Sequence, residues 1–142
     1  MKKYFLLVIL ISIISLKAQT LSDNDRTAIL NVLEQQRICW NNGDLAGYMN
    51  GYWKSDSTRF IGKSGINYGW NATFESYKKG YPNKEAMGTL IFNVISIESL
   101  NQNSVFMIGK WNLDRKEKAG GYFTLIWKKI NGKWFITTDH SS

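Results

Sequence analysis

The spacing of apolar residues in the first third of the chain predicts two amphipathic helices. Ser22 and the acidic residue three positions later, Asp25, are typical of a helix start. Apolar residues then recur with a helical period, at Ala28, Ile29, Val32, Leu33 and Trp40. We expect Asn42-Gly43 to end this helix and Asp44 to cap a shorter second one.

A small hairpin and a third helix are predicted next. The segments TRFIG and INYG, joined by a glycine-containing turn, have the composition of two short strands. Trp70, Phe74 and Tyr77 then recur on one helical face, which predicts a helix from Trp70 to about Gly80. Pro82 prevents this helix from continuing.

After Pro82 the pattern changes to strands. Four runs rich in β-branched and aromatic residues follow, with only short turns between them: MGTLIFNVISIESL, SVFMIGKWNLDR, GYFTLIWKKI and KWFITTDH. Such short connections require antiparallel pairing of neighbouring strands. The sequence therefore predicts a single α+β domain over residues 19–142, with helices packed on a long, curved antiparallel sheet.

The Asn131-Gly132 dipeptide is the strongest local signal, because two-residue hairpin turns of the primed type favour this pair. With this turn, alternation along the last strand places His140 on the concave face of the sheet together with Trp134. Asp139 is then expected on the opposite face.

The N-terminal segment predicts export. Two lysines precede the apolar run YFLLVILISIISL, which ends at Lys17-Ala18, and this order is typical of a cleaved signal peptide over residues 1–18. Without its three lysines the formal charge falls from +7 to +4, and the basic residues form no contiguous run. Nucleic acid is therefore not expected as a partner, and no membrane contact is expected beyond the signal peptide.

The stretches CWNNGDLAGYMNGYW, SDSTRFIG, YGWNATFESYKKGYP and GKWFITTDHSS resemble the nuclear transport factor 2-like superfamily, in its branch of SnoaL-like domains and domains of unknown function. The resemblance implies a cone-shaped fold with a pocket between the concave face of the sheet and the helices. We expect ligand binding there by aromatic side chains and Arg59. The aromatic candidates are Trp40, Tyr48, Tyr52, Trp53, Tyr77, Tyr81 and Trp111.

Asp56 and His140 are the candidate catalytic residues. Asp56 follows the second helix, where the implied pocket opens, and rings around it would raise its pKa and suit it to proton transfer. The alternative is a turn with Ser55 and Ser57. His140 is a candidate acid, base or ligand donor, or it only holds the end of the chain in position.

Other chemistries lack their residues. One histidine and one cysteine, His140 and Cys39, provide no metal-binding cluster, so no metal site is expected. No glycine-rich phosphate loop follows a strand, and no cofactor is expected.

Three functions stay open at this point. The first is an exported protein that binds a small apolar or aromatic molecule, as the six Trp, seven Tyr and seven Phe suggest. The second is a SnoaL-like or ketosteroid-isomerase-like enzyme that transfers a proton with Asp56 and His140. The third is a structural homodimer whose pocket is filled by its own side chains. In each case we expect a homodimer through the outer sheet face, where Tyr122, Ile126 and Phe135 would otherwise be exposed.

Overall fold

The computed structural model describes residues 20–142, and the predicted signal peptide lies outside these residues. The described part contains four helices and six strands in an α+β arrangement. The helices are α1 (Asp23–Asn41), α2 (Leu45–Met49), α3 (Trp70–Gly80) and α4 (Lys84–Met87). The strands are β1 (Arg59–Gly62), β2 (Gly65–Tyr68), β3 (Thr89–Asn101), β4 (Ser104–Asp114), β5 (Ala119–Ile130) and β6 (Lys133–Ser141).

The helices begin where the capping residues predict. The Ser22 side chain accepts a hydrogen bond from the Asp25 N–H at 3.1 Å, and the Asp44 carboxylate accepts one from the Gly47 N–H at 2.8 Å. Within residues 20–142 no helix is long and apolar enough to cross a membrane.

The six strands form one sheet in the order β2-β1-β6-β5-β4-β3. Strands β3 to β6 pair antiparallel with their sequence neighbours, as their short connections predict. The predicted hairpin also joins this sheet, and there β1 runs parallel to β6. This pairing joins elements that are far apart in the sequence, so no local turn pattern predicts it.

The turn between β5 and β6 is the predicted one. Asn131 and Gly132 have φ values of 50° and 79°, the left-handed conformation that both central residues of a type I′ turn require. Ile130 pairs with Lys133 across the turn, and Trp127 pairs with Ile136.

A β-bulge then changes the register of β6. Trp127 pairs with Ile136, but Ile126 pairs with Thr138, so Thr137 is an extra residue in β6. The bulge lies where β6 changes partners. Ile136 bridges to Tyr52, whereas Thr138 and the residues after it pair with β1. Bulges of this kind bend a strand and shift the faces of all later side chains.

The bulge reverses the predicted orientation of the last residues. Asp139 lies opposite Leu125 on the concave face and is 4% exposed, whereas His140 is exposed on the outer face. The prediction that His140 points inward and Asp139 outward is therefore wrong. Its physical cause is the one extra residue, Thr137, because side chains alternate with a period of two.

The core lies between α1, α2 and the concave face of the sheet. Its apolar side chains come from α1, α2 and strands β3 to β6: Ile29, Leu33, Trp40, Met49, Leu90, Val105, Met107, Phe123, Leu125, Trp127 and Ile136.

Candidate functional site

A cavity of about 900 Å³ lies between the concave face of the sheet and the helices. Most of its inner wall consists of aromatic and aliphatic side chains, among them Trp40, Tyr48, Tyr52, Phe60, Tyr77, Tyr81, Phe92, Trp111 and Phe123. Cavities of roughly 300–1,000 Å³ with mostly apolar walls are typical of small-molecule sites. The expectation of a pocket filled by its own side chains is therefore not met.

The rings on the helical side support one another by edge-to-face contacts. Trp40, near the end of α1, lies 5.0 Å from Tyr48 and 4.7 Å from Tyr81 between ring centroids, in T-shaped geometry. Its indole N–H donates to the Met87 carbonyl at 3.2 Å, which fixes the ring plane. Tyr77 in the last turn of α3 and Tyr81, the residue after the helix, stack with ring centroids 6.0 Å apart.

Three tyrosine hydroxyls converge on one side of the cavity. The Tyr52 O–H donates to a carboxylate oxygen of Asp139 at 2.6 Å, a short and strong hydrogen bond. The Tyr77 hydroxyl oxygen lies 3.4 Å from those of both Tyr48 and Tyr52, and Tyr48 and Tyr52 are 3.5 Å apart. These longer separations exceed the usual O–H···O length. The O–H groups of Tyr48 and Tyr77 therefore have capacity for a ligand oxygen.

We call these four residues, Tyr48, Tyr52, Tyr77 and Asp139, the tyrosine–aspartate cluster. The second carboxylate oxygen of Asp139 accepts a hydrogen bond from the Ser141 hydroxyl at 2.8 Å. On either side in the sheet, Asp139 is paired with Phe60 of β1 and Leu125 of β5, and all three line the cavity. The carboxyl is thus held by two hydroxyls, between two apolar neighbours in the sheet.

Burial sets the protonation behaviour of this cluster. It raises the pKa of the Asp139 carboxyl to about 6, although hydrogen bonds from Tyr52 and Ser141 and the charge of nearby His140 act in the opposite direction. Burial, followed by the charge of Asp139, raises the pKa of Tyr52 well above its ordinary value. Burial is also the main cause that raises the pKa values of Tyr48 and Tyr77. All three tyrosine hydroxyls therefore stay protonated near neutral pH.

A solved structure provides the decisive comparison. An NTF-2-like protein of unknown function from Shewanella oneidensis MR-1 is 40% identical to this chain, and the match covers 82% of this chain and 98% of that one, with a TM-score of 0.79. The chain belongs to the nuclear transport factor 2-like superfamily. No protein-family model matches the sequence, and no curated protein matches it.

More distant members of the NTF2-like superfamily share the fold. A superfamily protein from Salmonella enterica is 18% identical, with a TM-score of 0.64, over 82% of this chain and 91% of that one. A ketosteroid isomerase-like protein from Erwinia carotovora is 11% identical, with a TM-score of 0.65, over 85% of this chain and 97% of that one. At these identities the likeness concerns the fold alone.

Within this NTF2-like fold, most of the rings predicted to bind a ligand lie on the cavity wall. They are Trp40, Tyr48, Tyr52, Tyr77, Tyr81 and Trp111. Trp53 instead lines a separate cleft, together with Trp70 and Phe135. Arg59 is exposed at the start of β1, away from the cavity. That any of these residues binds a ligand stays a prediction.

The structure does not bring Asp56 and His140 to the cavity. Asp56 is exposed in a turn, where the Thr58 N–H donates to the Ser55 carbonyl at 3.3 Å and the Ser57 N–H donates to the Ser55 hydroxyl at 3.1 Å. This is the turn alternative considered from the sequence. The local turn leaves Asp56 exposed to solvent, and the bulge in β6 places His140 on the outer face of the sheet.

Sequence reasoning missed Asp139 as a site residue, because its face depends on that bulge. It also missed Gln36, which is buried on the cavity wall and donates to the Tyr48 carbonyl at 3.0 Å. Gln36 interrupts the apolar stripe of α1, and a polar residue within such a stripe is a usable signal of a cavity or a buried hydrogen bond.

Proposed function

We propose that this NTF2-like protein binds a small, largely apolar or aromatic molecule in its cavity, with one polar group of the ligand held at the tyrosine–aspartate cluster. The observation that carries the proposal is the convergence of Tyr48, Tyr77 and Asp139 on a cavity wall that consists mostly of aromatic and aliphatic side chains. A ligand oxygen between these groups would accept from a tyrosine or donate to the carboxylate. The ring-lined remainder would then enclose the apolar body.

The test uses two probes that differ in one group, 2-naphthol and 2-methylnaphthalene. Binding to the purified protein is measured by fluorescence titration and native mass spectrometry. Tyr77→Phe removes a hydroxyl without a short partner. We expect it to weaken 2-naphthol binding about fivefold, the size of one net hydrogen bond, and to leave 2-methylnaphthalene binding unchanged.

Tyr68→Phe is the matched control, since Tyr68 is exposed on β2 and does not line the cavity. Two results would contradict the proposal. One is that neither probe binds. The other is that Tyr77→Phe changes the binding of both probes equally, because the hydroxyl would then have no specific role.

Proton transfer is the second candidate function, and the raised pKa of Asp139 favours it. A carboxyl with a pKa of about 6 is a better base than an exposed one and is still mostly ionised at pH 7. In this reaction Asp139 removes a proton from the carbon next to a ketone. The electron pair of the broken C–H bond moves to the carbonyl oxygen, where Tyr48 or Tyr77 donates to the enolate.

Hydrogen–deuterium exchange at the α-carbon of 2-tetralone, followed by NMR in D₂O, tests this second function. We expect catalysed exchange that rises with pH through about 6 and then levels off, because the ionised carboxyl is the base. Asp139→Asn should abolish it, whereas Asp56→Asn and His140→Ala should not. If Asp139→Asn exchanges at the wild-type rate, Asp139 is not the base and the function is restricted to binding.

Export and self-association stay predictions. The outer face of the sheet carries exposed Ile91 and Tyr122 and half-buried Phe106, Ile108 and Ile126, which supports the predicted homodimer. Light scattering at micromolar concentration tests the dimer, and a monomer would contradict it. N-terminal sequencing of exported protein tests cleavage near Ala18, and material that begins at Met1 would contradict it.

A further inference from the structure

Three basic side chains lie on the rim of the cavity, and all come from one end of the sheet. Lys63 belongs to the turn between β1 and β2, while Arg115 and Lys118 belong to the connection between β4 and β5. The topology places both connections at the same end of the sheet. β1 runs parallel to β6, and β4 runs antiparallel to β5, so β1, β4 and β6 end where β5 begins.

Arg115 is held in a fixed position on this rim. Its Nε–H donates to the Glu117 carbonyl at 2.9 Å, and one Nη1–H donates to the Ala86 carbonyl of α4. The guanidinium carbon also lies 6.0 Å from the centre of the Tyr81 ring, within cation–π range. A guanidinium has five N–H donors, so three are left for another acceptor.

The backbone of Gly88 makes room for this arrangement. Gly88 has a φ of 64°, and a Cβ built on it would come within 2.8 Å of the Arg115 Cβ. A larger residue would therefore displace the arginine from the junction of α4 with the β4–β5 connection. These contacts hold the Arg115 side chain in place before any ligand binds. Binding would therefore cost little further side-chain entropy.

None of these three basic side chains has a strong ion pair among the described residues. Among the residues that the structure describes, Arg115 and Lys63 form no ion pair with a carboxylate. Lys118 approaches Asp114 at 3.8 Å, but both side chains are mostly exposed and such pairs are weak. Asp139, the one acidic side chain among the described lining residues, is already bound by Tyr52 and Ser141.

We propose that the ligand of this cavity is an amphipathic organic anion. Its apolar body occupies the ring-lined interior, and its carboxylate, sulfonate or phosphate group is bound at the rim by Arg115 with help from Lys63 and Lys118. This inference rests on the proposed binding function and adds the charge of the ligand. The planar guanidinium can bind two oxygens of such a group at once.

Two fluorescent probes that differ only in an anionic group test the proposal: 8-anilinonaphthalene-1-sulfonate and its neutral parent N-phenyl-1-naphthylamine. Both are titrated into the full protein, and displacement of one by the other at a ratio of one per chain shows that they share the cavity. We expect Arg115→Gln to weaken sulfonate binding about tenfold, as the loss of a charge-assisted hydrogen bond predicts. The neutral probe should bind unchanged.

Lys116→Gln is the matched control. It removes the same charge from the next residue, which is exposed and does not line the cavity, so neither probe should respond. If Arg115→Gln misfolds and no longer binds the neutral probe, two further measurements test the proposal. They are the substitution Lys63→Gln, at an exposed residue, and the salt dependence of binding to the wild-type protein. Binding of the sulfonate, and not of the neutral probe, should then weaken with Lys63→Gln and between 50 and about 500 mM salt.

The outcomes separate the two proposals. If neither probe binds, the binding function fails, and this inference fails with it. If both probes bind but the rim substitutions and added salt affect them equally, the cavity binds small apolar molecules without preference for an anion. That result would overturn the inference and leave the proposed function intact.

Discussion

A buried or half-buried aspartate lies at each end of β6, Asp25 of α1 at one end and Asp139 of β6 itself at the other. The pKa values of the two carboxyls shift in opposite directions. At the Trp134 end, Asp25 of α1 accepts hydrogen bonds from the Lys129 ammonium at 2.7 Å and the Trp134 indole at 2.8 Å. At the other end, Asp139 accepts from the neutral hydroxyls of Tyr52 and Ser141. The pKa of Asp25 is lowered to about 2, and that of Asp139 is raised to about 6.

The difference shows what each carboxyl contributes. The hydrogen bond from Lys129, then that from Trp134, lowers the pKa of Asp25, so its ionised form stabilises the junction of α1 with the β5–β6 hairpin. Asp139 has no cationic donor, and burial makes its ionised form costly. A carboxyl that lowers stability and faces a cavity is the arrangement expected at a functional site.

The pH dependence of stability should show the largest effect. Asp139 binds its proton more tightly in the folded state, so the fold loses stability as pH rises from about 4 through 6. A shift of about two pKa units corresponds to ~3 kcal/mol. We expect Asp139→Asn to lack this loss when the free energy of unfolding in urea is compared at pH 4 and pH 7. A variant with the same pH dependence as the wild type would show that Asp139 is not desolvated.

Asp25→Asn should have a smaller effect of opposite sign. It removes the charge that pairs with Lys129, and we expect a loss of about 1–2 kcal/mol at pH 7 for this partly exposed cluster. The loss should shrink below pH 4 as the wild-type carboxyl protonates toward its pKa of about 2. Asp23→Asn, which removes a charge from the same helix turn, is the control. Equal urea midpoints for the two variants would sink the assigned role of Asp25.

Tyr52→Phe should change both the stability of the fold and the pKa of Asp139. The change removes the 2.6 Å donor to the carboxylate, and we expect it to lower stability by about 1 kcal/mol and to raise the Asp139 pKa further. Urea unfolding across pH would show the inflection move upward. Tyr122→Phe, on the outer face, should leave the inflection where it is, and an unmoved inflection in Tyr52→Phe would argue against the hydrogen bond.

His140→Ala should have the smallest effect. His140 is exposed on the outer face, so we expect a change in stability below about 0.5 kcal/mol and no change in 2-naphthol binding. The sequence alone predicted the reverse, with His140 in the site. A large loss of binding in His140→Ala, together with a silent Asp139→Asn, would restore that prediction.

Local signals predicted most of the fold. The Ser22 and Asp44 caps, the end of α3 before Pro82 and the Asn131-Gly132 turn each depend on neighbouring residues, and each is observed. The superfamily also followed from such segments. The parallel pairing of β1 with β6 and the short helix α4 were not predicted, because the first depends on distant residues and the second is too short to show a period.

Most of the aromatic residues predicted for the cavity wall do line it, but Asp139 was not predicted there. Aromatic positions such as Tyr48 and Tyr77 follow helical periodicity, which is robust to small errors. The face of Asp139 depends on strand parity, and one bulged residue, Thr137, inverts it. The bulge lies where β6 stops bridging to Tyr52 and begins to pair with β1. Both contacts join segments about 80 residues apart in the sequence, so no local pattern indicates them.

An NMR titration of the aspartate side-chain carboxyl carbons tests the central claim most directly, which is that Asp139 is a buried acid facing a ligand cavity. The protein is labelled with ¹³C-aspartate, and Asp139→Asn and Asp25→Asn assign the two resonances. We predict that Asp139 titrates near 6 and Asp25 near 2, and that saturating 2-naphthol shifts the Asp139 resonance alone. An Asp139 that titrates near its ordinary value of 3.8 and ignores the ligand would contradict the account.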